Sequence, residues 1–96
     1  MTTIARYEKQ PADNQDFDVD FTEWLAALND TAPGPTGMTV VAQTGITVIA
    51  TNLHNGVAKV WIGGGTSGTV YKVTVTITTT GNRVKQAEIK IKVKET

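Results

Sequence analysis

The chain has 96 residues, with nine Lys/Arg balanced by nine Asp/Glu, so its formal net charge is zero. One domain fits that length, because two cores of half the size would not stand alone. With no cysteine and a single histidine, His54, the composition excludes a disulfide framework, a Cys-ligated metal or haem and any His-pair site, and the neutral balance is unlike the basic excess of a general nucleic-acid binder.

The balance conceals a split. Residues 1–30 carry Glu8, Asp13, Asp16, Asp18, Asp20, Glu23 and Asp30 against Arg6 and Lys9, and the remainder carries seven bases against Glu88 and Glu95. The two halves are therefore −5 and +5. Opposed charge can be satisfied within one fold or between neighbouring subunits. Seventeen threonines and eleven valines point to strands, since β-branched side chains suit a pleated surface.

Residues 1–15 read as an extended N-terminal arm, with Pro11 and few apolar anchors. They lack the apolar core of a signal peptide, and no apolar run reaches the ~18 residues of a membrane span. The expectation is a soluble chain with no membrane contact. The domain proper is expected over 16–96. Phe17, Val19 and Phe21 alternate with Asp16, Asp18 and Asp20, the pattern of a strand with an acidic outer face. Glu23–Leu28 allows one or two helical turns, with Trp24 and Leu25 capping the end of the fold and Trp24 in its core. Met38–Ala42 is a short strand set off by Gly37 and Gly45.

Asn55-Gly56 is the preferred pair of a two-residue type I′ hairpin. Its register sets Leu53 opposite Ala58, Thr51 opposite Val60 and Ile49 opposite Ile62. The other face then carries Trp61 with Ala50, beside Val57, as an outward apolar patch. A slip of one residue would bury Trp61 instead. Gly63–Gly68 breaks the chain before Tyr71, whose position resembles the tyrosine corner of sandwich folds, with the hydroxyl bonded to nearby backbone. Tyr71, Val73, Val75 and Ile77 form one face of the next strand; Ala87, Ile89, Ile91 and Val93 form one face of the last. Both sets are odd-numbered, so the hairpin between them needs an odd loop. Gly81–Arg83 is the expected one, pairing Val75 with Ile89 and Ile77 with Ala87. These elements make six or seven strands in two antiparallel sheets. The expected fold is an all-β, immunoglobulin-like sandwich with an extended N-terminal arm.

No constellation carries catalytic chemistry. The Asp16/Asp18/Asp20 row lacks the Gly and Glu of a calcium loop, whose places are taken by Phe21 and Ala27, and reads as a solvated edge. Gly63–Gly68 lacks the Lys-Ser/Thr of a phosphate-binding loop and leads into a strand. His54 reads as a polar turn residue. No catalytic residue, metal site or cofactor is expected. An outward Trp61 would be a contact anchor.

Four ordered strings carry a family resemblance: Arg6-Tyr7-x-Lys9-Gln10-Pro11-Ala12-Asp13, Asp16 through Leu25, Trp61-Ile62-x-Gly64-Gly65-Thr66-x-Gly68-Thr69-x-Tyr71-x-Val73, and Thr79-Thr80-Gly81-x-Arg83. Together they resemble the small structural proteins of tailed bacteriophages known as fiber-tail adaptors. The segment Pro33–Gly37 departs from that pattern. The resemblance implies a virion component of the tail or neck, made in the host bacterial cytoplasm. It would hold a fiber or a neighbouring ring through contacts with other virion proteins, in several copies. The arm would lie across a neighbouring subunit with Arg6, Tyr7 and Lys9 as anchors. The alternatives are a capsid decoration or cement protein and a carbohydrate-binding sandwich.

Overall fold

The computed structural model describes residues 3–34 and 36–95. Its elements in chain order are β1 (Thr3–Lys9), β2 (Gln15–Asp20), α1 (Thr22–Ala27), β3 (Met38–Ala42), β4 (Ile46–His54), β5 (Val57–Gly64), β6 (Thr69–Thr78) and β7 (Val84–Val93). The strands form a four-stranded sheet of order β1-β7-β6-β3 and a three-stranded sheet of order β2-β5-β4. All neighbours are antiparallel except β1 and β7, which run parallel.

The sheets face each other because each has one apolar side. Phe17, Val19, Leu53, Ala58, Val60 and Ile62 from the smaller sheet meet Tyr71, Val73, Val75, Ile77, Ile89 and Ile91 from the larger, all within one buried cluster. Burying one such aliphatic side chain contributes about 1.5–3 kcal/mol. The all-β sandwich follows from this two-residue period in β2, β5, β6 and β7. Leu25 of α1 is buried at the end of the sandwich and Trp24 packs partly buried against the same cluster.

The Asn55-Gly56 hairpin keeps its expected register from the turn to Ala50 opposite Trp61. Asn55 and Gly56 both take positive φ, at 48° and 82°, as a type I′ turn requires. Beyond Ala50 the pairing shifts, so Val48 faces Ile62 and Ile49 bulges out, half-exposed at 51%. The expected Ile49–Ile62 pair is therefore corrected: a bulge inserts one residue and turns its neighbour away from the core.

The β6–β7 register also differs from expectation. Val75 faces Ala87 and Val73 faces Ile89, where Val75–Ile89 was expected. The buried parity is kept, and the loop still has three residues, but it is Thr80–Asn82 rather than Gly81–Arg83. The Thr79 N–H donates to the Arg83 carbonyl at 2.8 Å, and the Arg83 N–H donates to the Thr79 hydroxyl at 3.0 Å. Asn82, with φ 63°, supplies the left-handed residue that ends such a loop.

Residues 3–9, expected within the arm, are an edge strand, with Tyr7 beside Ile91 and Lys9 beside Val93. Met1 and Thr2 of the arm lie outside the described residues. In the Thr31–Gly37 segment, Ala32 is buried and its carbonyl accepts the Gly56 N–H at 2.9 Å, while the Gly37 carbonyl accepts the Thr78 N–H at 2.7 Å. That segment thus ties the tip of the β4–β5 hairpin to the end of β6; Pro35 lies outside the described residues.

Candidate functional site

Since each sheet buries one side, the outer faces are what the molecule offers to a partner. On the smaller sheet, ladder pairing sets three rows across β2, β5 and β4: Asp16–Trp61–Ala50, Asp18–Lys59–Asn52 and Asp20–Val57–His54. Trp61 is half-buried and sits outside the core cluster, so the outward reading holds. Lys59 reaches Asp16 at 3.5 Å and Asp18 at 3.8 Å, and its ammonium lies 5.9 Å from the centroid of the Trp61 ring. The third acid has another role. One Asp20 oxygen accepts the Thr22 hydroxyl at 2.6 Å and the Thr22 N–H at 2.8 Å at the start of α1. Those bonds lower its pKa.

On the larger sheet, one ladder row reads Arg6–Lys90–Lys72 and the next Glu8–Lys92–Val70. Lys72 reaches Glu88 at 3.9 Å. Arg6, Tyr7, Glu8, Val70, Lys90 and Lys92 line a shallow depression of about 310 Å³. Like charges directly opposite in a ladder repel, and this row sets three cations side by side, of which Lys72 is offset by Glu88.

The structure separates the four residues expected to touch a partner. Arg6 is exposed beside Lys90. Tyr7 is half-buried; its ring lies 4.8 Å from Phe17 and its hydroxyl donates to the Asp18 carbonyl at 3.0 Å, which fastens β1 to β2 along one side of the sandwich. Lys9 is only 4% exposed, and its ammonium donates to the Gln10 carbonyl at 2.6 Å. Trp61 belongs to the opposite outer face.

Two of the sequence strings have local structural causes. In the glycine-rich string, Gly64, Gly65 and Gly68 take positive φ, and the Thr66 N–H donates to the buried Tyr71 hydroxyl at 2.9 Å, the tyrosine-corner contact. A Cβ on Gly65 would stand 2.6 Å from Val93. The Thr-Thr-Gly-x-Arg string closes on Asp30, which accepts from the Thr31 N–H (2.8 Å), the Thr80 hydroxyl (3.2 Å), the Gly81 N–H (3.1 Å) and the Arg83 guanidinium (2.9 Å). The Thr79 hydroxyl foremost, with Arg83 and the Thr31 and Gly81 N–H groups, outweighs desolvation and holds the Asp30 carboxyl well below the usual carboxylate range. Asp30 carries no motif of its own; the only sequence signal was its place just after the short helix.

Fold and surface define a small all-β sandwich whose distinguishing features lie on its outer faces rather than in a cleft. The sequence matches the family described as podophage GP4 fiber-tail adaptor protein gp77 over residues 9–92. The chain belongs to this family of phage tail structural proteins, as its ordered strings suggested. No curated protein matches it.

Proposed function

We propose that the chain is a non-catalytic virion component that joins a fiber, or a neighbouring ring, to the tail or neck through protein–protein contacts. Family membership across residues 9–92 carries this reading. The strand orders support an immunoglobulin-like body, since β7-β6-β3 opposite β2-β5-β4 matches the arrangement of such domains. The protein is made in the host cytoplasm and used in several copies at the tail. Its partners are other virion proteins, which meet the charged outer faces. The Lys59 ammonium over the Trp61 ring weighs against a sugar stacking there. Cross-linking mass spectrometry of purified particles tests the role. Links from Lys59, Lys90 or Lys92 to tail or fiber subunits are expected. Links confined to the major capsid protein would favour a capsid decoration protein instead.

A further inference from the structure

We propose that copies of this chain bind one another head to tail, the basic outer face of the larger sheet in one copy seating on the acidic outer face of the smaller sheet in the next. The proposal rests on the reading of a multi-copy adaptor and names the surfaces that would build it.

Three observations carry it. First, Arg6, Lys90 and Lys72 stand side by side in one ladder row. A lone subunit gains nothing from that repulsion. On this face Arg6, Lys72, Lys90 and Lys92 outnumber Glu8 and Glu88 four to two. The salt bridges among the described residues do not engage Arg6, Lys90 or Lys92.

Second, the complementary row exists on the same molecule but on its far side. Asp16, Asp18 and Asp20 run along the edge strand β2; Lys59, the one base in the strands of that sheet, reaches Asp16 and Asp18, while Asp20 holds Thr22, so the row stays net acidic. The two faces are separated by the packed core, and facing sheets lie about 10 Å apart at the backbone. The Asp row and the Arg6–Lys90–Lys72 row cannot meet within one chain, and a second copy presents to each the face of opposite sign.

Third, each face has apolar surface to bury. Val70 is 48% exposed beside Lys92, and the bulged Ile49 is 51% exposed on the face of Trp61. The molecule measures 43 × 22 × 19 Å, so a broad face is close to the ~800 Å² each partner gives to a stable interface. A contact between two different faces is heterologous, and it closes into a ring if its rotation closes.

Paired charge reversals test the contact. Arg6→Glu with Lys90→Glu makes both faces acidic; Asp16→Lys with Asp18→Lys makes both basic. Light scattering at ~50 mM salt should find the wild type associated, and each variant alone weakened by at least about tenfold. An equimolar mixture of the two should regain association, because acidic and basic copies then alternate. Circular dichroism checks that each variant folds. If one does not, the wild type decides: association falling at least about tenfold by ~500 mM salt supports the contact, and association indifferent to salt overturns it. A wild type monomeric at low salt, variants that associate like the wild type, or a mixture that stays apart would each overturn the proposal. Mass spectrometry of particles reads the adaptor role separately. A chain present in particles but failing these tests overturns only the contact, and a chain absent from particles overturns the adaptor reading.

Discussion

Asp30 gathers the Thr31 and Gly81 N–H groups, the Thr80 hydroxyl and the Arg83 guanidinium onto one carboxylate, joining the end of α1 to a turn some fifty residues later. That clasp accounts for the placement of the β6–β7 loop one residue earlier than parity alone suggested. Parity of apolar residues fixes which face is buried, but it leaves registers two residues apart equivalent. A carboxylate distant in sequence breaks the tie, and so the choice was not legible from the strands themselves. Since folding lowers the Asp30 pKa, its contribution is complete above the unfolded value of about 4 and fades as pH falls below it. Thermal melts should therefore show Asp30→Asn clearly less stable than the wild type at neutral pH, with the gap narrowing in acid below about pH 4. A gap independent of pH would contradict the clasp. Gly81→Ala should weaken the same turn, because its Cβ would sit 2.9 Å from both the Asp30 carboxylate and the Arg83 guanidinium.

At the scale of elements, the strands with one buried face were readable because their period is two and their apolar sets are long. Val73, Val75, Ile77, Ile89 and Ile91 are fully buried, as their alternation implied. Ile89→Ala should cost about 2–5 kcal/mol in denaturant unfolding. β1 was less legible. Its pairing with β7 is parallel and spans most of the chain, and one of its inward positions is Lys9, whose stem is buried while its ammonium finds the Gln10 carbonyl. The bulge at Ile49 was equally hidden, since Val48 and Ile49 are both apolar and either could face the core. Gly56 is set by two demands at once: its φ of 82°, and Leu25 of α1, which would lie 2.7 Å from an added Cβ. Gly56→Ala should destabilise the fold by at least about 1–2 kcal/mol, read as a lower denaturation midpoint with an unchanged slope.

For the whole molecule, the zero net charge resolves into geometry. The acidic third supplies the outer row of β2, and the basic remainder supplies the outer row of β7 with Lys72 of β6. Asp30 with Arg83 shows that part of the split is used within the fold. The Asp and Lys rows face outward on opposite sheets, which turns a compositional asymmetry into two surfaces. Sequence composition revealed the asymmetry but not its placement, because placement depends on which sheet each strand joins. Raising salt should therefore disturb association far more than folding, measured as light scattering against melting temperature on the same samples. The adaptor role itself is tested most directly by cryo-microscopy of the intact particle. The expected result is density for this seven-stranded sandwich in a small number of copies at the tail or neck, in contact with fiber or tail subunits. Density in hundreds of copies over the capsid shell, with none at the tail, would contradict it.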